Sequence, residues 1–273
     1  MKLSLAIQTP EVEPVVPVAL ISGSFEEKLS KAATWGADGV ELMTVKPRAL
    51  DWEQIASCLA QNQLQVAAVA SGAMLFATGI TLLHRDSEIM AMARSRLYDL
   101  IEFASALGSP VVTIGSFRGR LASVPGDGKL ILHQILQEAA ERAEQLGVRL
   151  AIEAINRFET DFIHNARQGL SFIQEVNRPA LGLLLDTFHM NIEESSWALP
   201  FQIAVQAGKL FHVHFGDNNR LPPGKGMINF AAIVEILRSL DYQGYLSAEL
   251  LAIPDPDSAA RQTLETMHSI LRA

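Results

Sequence analysis

Four short apolar runs in the second half of the chain each end in a side chain that can bind a cation or move a proton. Leu150-Ala151-Ile152 leads into Glu153, Leu183-Leu184-Leu185 into Asp186, Phe211-His212-Val213 into His214, and Leu246-Ser247-Ala248 into Glu249. A charged group at the end of a buried strand is costly unless it is neutralised. Three carboxylates converging with an imidazole would also repel one another, and a divalent cation removes both penalties. Three oxygen donors and one nitrogen make a fairly hard site, for which Mn2+ is the first expectation and Mg2+, Co2+ and Zn2+ also fit. The spacings form no short-range metal motif, and a single acid here has a rival reading as a helix cap or an ion-pair partner. The four act together only if the fold makes them converge.

Two neighbours share this region. His212 lies two residues before His214, on the same face of a strand but deeper. It reads either as a hydrogen-bonded core histidine or as a partner standing behind the ligands. Glu41, near the end of an earlier apolar run, carries the same pair of readings. His84, His133, His164 and His268 fall in loops or on helix surfaces and are assigned no role.

The elements that must position these groups alternate along the chain. Runs rich in Val, Ile, Leu and Ala predict strands at 3–8, 39–44, 65–70, 110–115, 149–155, 181–186, 210–215 and 245–250. Several are apolar at consecutive positions, as expected for strands covered on both faces in a parallel sheet. Between them lie helical periodicities: Leu132, Ile135, Leu136, Ala139 and Ala143 form one stripe, and Phe230, Ile233, Val234 and Leu237 another. Ser24 with Glu27, and Asp51 with Gln54, have the spacing of helix N-terminal caps. Gly36, Gly108 and Gly147 stand where helices must end before the next strand. The helix–glycine–strand unit recurs about eight times in 273 residues without a linker, which predicts one domain over 1–273, a closed (β/α)8 barrel. Active sites of such barrels form at the C-terminal strand ends, where the four candidate ligands lie.

Composition narrows the function classes. The net charge of −8 argues against nucleic acid and anionic membrane partners, and no Gly-x-Gly-x-x-Gly or Walker-type loop is present. The single cysteine, Cys58, rules out an intrachain disulfide framework. No stretch approaches the roughly 20 apolar residues of a membrane span, and the first residues read as a strand rather than a secretory signal. The expectation is a soluble cytoplasmic protein.

The residues that carry the chemistry also carry a family resemblance. Glu153-Ala154-Ile155-Asn156-Arg157-Phe158-Glu159, Asp186-Thr187-Phe188-His189-Met190-Asn191, His214-Phe215-Gly216-Asp217-Asn218-Asn219-Arg220 and Pro223-Gly224-Lys225-Gly226 resemble blocks of D-tagatose 3-epimerase and its relatives, within the xylose-isomerase-like barrels. That group includes hydroxypyruvate isomerases, L-ribulose-5-phosphate 3-epimerases and inosose dehydratases. The resemblance is specific over about 149–250 and architectural before that. It implies one divalent metal ion on Glu153, Asp186, His214 and Glu249, and contacts from Glu159, His189 and Arg220 to the oxygens of a small-molecule sugar or sugar phosphate. It further implies isomerase chemistry, with Glu153 and Glu249 exchanging a proton next to a carbonyl through an enediolate. By analogy with relatives, a homo-oligomer is expected. The Pro222–Gly226 loop is expected to border the site.

The loops Ser71–Phe76 and Gly115–Arg120 do not match the ketohexose epimerases, so the substrate stays open. Arg118 and Arg120 read either as a grip for phosphate or carboxylate or as part of a solvated loop. A dehydratase would use the same metal and base but expel a hydroxyl. An endonuclease IV-like repair enzyme needs three metals and histidines on early strands, where this chain has Ser71 and Gly115-Ser116. A non-catalytic sugar-binding barrel is disfavoured by the intact set of four ligands.

Overall fold

A computed structural model describes residues 1–273. Eight parallel strands, β1 (Lys2–Gln8), β2 (Gly39–Met43), β3 (Gln65–Ala70), β4 (Val111–Ile114), β5 (Arg149–Glu153), β6 (Leu181–Asp186), β7 (Leu210–Phe215) and β8 (Tyr245–Ala248), pair in chain order. The first and last close the barrel through Leu3 opposite Leu246 and Ser4 opposite Ser247. Closure leaves no sheet edge unpaired. Every strand foreseen from the apolar runs is present. β5 and β8 stop earlier than expected because their chains turn towards neighbouring loops: Ile155 N–H donates to Ile163 O, and Leu251 N–H to Arg220 O. Glu153 is therefore the last residue of β5, and Glu249 lies just beyond β8.

The helices α1 (Phe25–Thr34), α2 (Trp52–Gln61), α3 (Ser87–Ala106), α4 (Gly128–Gln145), α5 (Ala166–Val176), α6 (Thr187–Glu193), α7 (Ala198–Gln206), α8 (Phe230–Ser239) and α9 (Pro256–Arg272) surround the strands. The α4 and α8 stripes foreseen in the sequence are buried. Ser24 accepts from Glu27 N–H at 3.2 Å while Glu27 accepts from Ser24 N–H at 2.8 Å, completing the capping box of α1. Asp51 accepts from Gln54 N–H at the start of α2. Gly36, Gly108 and Gly147 take φ of 89°, 66° and 68°, the left-handed region that ends a helix cheaply only when there is no Cβ. No helix is long and apolar enough to cross a membrane.

Inside the barrel the two-residue strand period sorts side chains into levels. Ala68, Val111, Ala151 and Leu184 form a small apolar cluster separate from the main core. Ala151, Leu184, His212 and Ser247 lie one inward position below Glu153, Asp186, His214 and Glu249. At the opposite end Gln65 Oε1 accepts from Lys2 Nζ and from Tyr245 Oη, each at 2.7 Å, and helps close the base. The floor is tightly packed: a Cβ on Gly39 would lie 2.5 Å from the Gln65 carbonyl oxygen and 3.0 Å from the Tyr245 ring. Gly39→Ala should lower stability by roughly 1–3 kcal/mol, read as a lower urea midpoint with an unchanged slope.

Candidate metal centre

Each of the four foreseen ligands comes from a different strand end, so backbone pairing positions them. Asp186 on β6 is in register with His214 on β7. Glu153 closes β5 and Glu249 follows β8. Their donor atoms lie within 4.8 Å of one another, and all four residues are buried. Glu153 Oε1, Asp186 Oδ2 and His214 Nδ1 have no hydrogen-bond partner. Buried polar atoms are rarely left so, and three orphans aimed at one point match what a cation would satisfy. Bonds of about 2.0–2.2 Å separate ligand atoms by about 3–4.4 Å, and His214 Nδ1 stands 3.6 Å from Glu249 Oε2 and 3.9 Å from Glu153 Oε1, so the residues fit the group. A cleft of about 1390 Å³ lies elsewhere, around the β1–α1 loop and α2, and none of these residues lines it.

Burial and mutual repulsion set the charges. Burial, then the Glu249 charge, pushes Glu153 up to about 8. Burial likewise raises Asp186 to about 6, against the pull of Arg220 and His214. Burial works on Glu249 too, yet His214 and Arg220 outweigh it and hold the group down at about 2. Burial alone would discharge His214, but the carboxylates of Glu41 and Glu249 raise it well above the usual histidine range. The neighbouring glutamates thus differ strongly in basicity, as acid–base pairs require.

The three expected substrate contacts surround this cluster. Arg220 donates to Glu249 Oε2 at 3.1 Å, reaches Glu159 Oε2 at 3.5 Å and stacks 4.9 Å from the Phe188 ring centroid. His189, in the first turn of α6, places Nε2 3.6 Å from Glu153 Oε1. Its pKa is lowered to about 3 by burial, so the ring is neutral. Glu159 is half-exposed at the mouth and accepts from Asn156 Nδ2 at 2.8 Å. That same amide lies 2.8 Å from His189 Nδ1, and Asn156 N–H donates to Nδ1 at 3.4 Å. With Nδ1 accepting, the His189 proton sits on Nε2 and faces the cluster. Asn156 is thus an orienting residue that sequence reasoning passed over. Its signal was only its place three residues past Glu153.

Neither reading of Arg118 survives. The side chain is fully buried, and its guanidinium donates to the carbonyls of Glu153 (2.9 Å), Phe162 (2.9 Å), Gly115 (3.3 Å) and Ile163 (3.4 Å). It ties the loop after β4 to the end of β5 and so holds the backbone of Glu153. Arg120 stays exposed, as the solvated-loop reading has it, and donates to the Glu159 carbonyl at 3.0 Å. The reason for the difference is geometric: β4 and β5 are neighbours whose following loops fold onto each other, which local spacing does not reveal. Gly115, at the end of β4, lies so close that a Cβ there would overlap Glu153 Oε2. The Pro222–Gly226 turn is folded onto Asp217, whose carboxylate accepts from Gly224, Gly226 and Ile228 N–H at 2.8–3.0 Å.

Two outcomes follow from these contacts. Arg118→Met strands at least two buried carbonyls and should cost about 3 kcal/mol, measured by denaturant unfolding, and Arg118→Lys should recover only part because a lysine lacks the planar fork. A cation must displace the protons held by Asp186, Glu153 and His214, so affinity for Mn2+ should rise with pH from about 6 and go on rising beyond about 8. Calorimetry at pH 7 in buffers of different ionisation enthalpy should register proton release, and a flat pH profile would contradict the assignment.

Known proteins share the fold and part of the sequence. The family described as xylose isomerase-like TIM barrel matches residues 29–270. A ketose 3-epimerase from Arthrobacter globiformis is 30% identical over 219 residues, 79% of this chain and 74% of that protein. An L-ribulose 3-epimerase from Methylomonas sp. (strain DH-1) is 30% identical over 240 residues, 86% of this chain and 82% of that protein. The solved 3-keto-D-glucoside 4-epimerase from E. coli superposes with a TM-score of 0.80 over 98% of this chain and 100% of that one, at 22% identity, a likeness of fold. The chain belongs to the xylose isomerase-like TIM barrel family, and its relatives at 30% identity are sugar epimerases.

Proposed function

We propose that the chain, acting as one barrel domain, is a metal-dependent ketose epimerase that inverts the carbon next to the carbonyl. The observation that carries this reading is the pair of buried glutamates, Glu153 and Glu249, brought from two different strand ends to one four-donor cluster. Glu153, Asp186, His214 and Glu249 would hold a divalent cation, Mn2+ being the first choice, which supplies positive charge to stabilise an enediolate. The rest falls to the protein's own groups. One glutamate takes the proton from C3 of a free ketose, and the C–H electrons form the C2–C3 double bond of the enediolate. The other glutamate returns a proton to C3 from the opposite face, so the configuration inverts and no redox partner is needed. His189, with its proton on Nε2, donates to a sugar oxygen. Arg220 holds Glu249 ionised and offers its remaining N–H groups to the substrate. Glu159, at the mouth, accepts from a hydroxyl. The names of relatives, acting on ketoses and L-ribulose, support an unphosphorylated ketose.

The test is proton exchange. Mn2+-loaded protein in D2O would be incubated with D-allulose, D-fructose, D-tagatose and L-ribulose and followed by NMR. Metal-dependent deuterium at C3, with appearance of the C3 epimer, is expected, and Glu153→Gln or Glu249→Gln should slow it by at least about 100-fold. Exchange at C1 would instead make it an aldose–ketose isomerase, and an unsaturated product a dehydratase. Cation binding without exchange on any ketose would refute the epimerase reading.

A further inference from the structure

We infer that Glu41 is a positioning residue for His214, fixing its tautomer so that Nδ1 is the atom offered to the cation. Glu41 lies in the middle of β2, across the barrel from β7, with no exposed surface and no lysine or arginine partner. A carboxylate so placed must be held by donors. Its Oε2 lies 2.9 Å from His212 Nε2, and both its oxygens lie 3.0 Å from His214 Nε2. Thr113 Oγ1 adds a longer donor contact of 3.4 Å to Oε1.

An ionised carboxylate only accepts, so both rings present Nε2–H to it. In a neutral imidazole the lone pair is then on Nδ1. In His214 that atom has no hydrogen-bond partner and stands 3.6 Å from Glu249 Oε2 and 3.9 Å from Glu153 Oε1, inside the four-donor cluster. Were the proton on Nδ1, the ring would point an N–H at the cation's position. The second histidine completes the device. Two-residue spacing puts His212 on the same strand face, its ring edge-on to His214 with centroids 5.1 Å apart. One carboxylate thereby bridges both rings and cannot turn away from either. Partners of this kind behind a ligating histidine are worth about 10–100-fold in metal affinity.

This rests on the reading of the four-donor cluster as a cation site, and the experiment separates the two. Mn2+ titration of the full chain, followed by EPR, counts sites and measures affinity. One Mn2+ per chain is expected, with affinity about 10–100-fold weaker in Glu41→Gln, whose amide carries no charge and sets an NH2 donor in place of one accepting oxygen. With Zn2+ as a diamagnetic probe, long-range 1H–15N spectra of the 15N-histidine-labelled wild type should show His214 protonated on Nε2 and coordinated through Nδ1. That measurement decides the matter even if Glu41→Gln fails to fold. Coordination through Nε2, or unchanged affinity in folded Glu41→Gln, would overturn the role. So would two Mn2+ per chain with one lost in Glu41→Gln, because Glu41, His212 and His214 would then form a second cation site. Wild-type protein that binds no Mn2+ would remove the cation site and this role together.

Discussion

Three carboxylates and an imidazole, buried within 4.8 Å of one another, are the constraint on which the rest of this molecule turns. Left alone, such a cluster disfavours the folded state through repulsion and lost hydration. The barrel tolerates it because the donors sit at the ends of four strands whose positions are set by many backbone hydrogen bonds. The groups cannot drift apart to relieve their repulsion. The same rigidity that makes the cluster costly makes it a good host for a divalent cation, since little has to be ordered on binding.

Around the cluster, the charges are graded rather than merely opposed. Arg220 lies against Glu249 and its stack on Phe188 fixes the guanidinium plane. His214 and Arg220 keep Glu249 ionised, while burial and the Glu249 charge draw Glu153 towards the protonated form. On the opposite side His189 is kept neutral by burial and oriented by Asn156. The result is one group ready to accept a proton, one inclined to hold it, and one neutral donor, without any change of backbone.

The loops that carry these groups are fastened from beneath by buried polar side chains. Arg118 clamps four carbonyls around β4 and β5, and Asp217 gathers the N–H groups of the turn after β7. Each spends a full charge on backbone groups that no strand or helix could satisfy. Irregular backbone near a barrel's mouth must find such partners to be ordered. The cationic and acidic residues closest to the site are thus divided between chemistry and scaffolding, and residue type alone does not say which is which.

Much was legible in the order of residues. The alternation of apolar runs and amphipathic stretches, with glycines at helix ends, specifies eight repeated units. The positions of Glu153, Asp186, His214 and Glu249 at the ends of apolar runs mark the residues that the barrel gathers into one four-donor cluster. These patterns depend on neighbours a few residues apart, so the chain displays them before it folds. Other features arose only on closure. Glu41 meets His212 across 171 residues, Arg118 turns inward to the end of β5, and Asn156 joins Glu159 to His189. Which strands face one another, and in what register, is decided by packing the whole barrel at once. Sequence alone determined which metal-binding and proton-moving residue types the chain carries and on which strand ends. The tertiary structure decided how each group is held, because pairings between distant strands have no local signature.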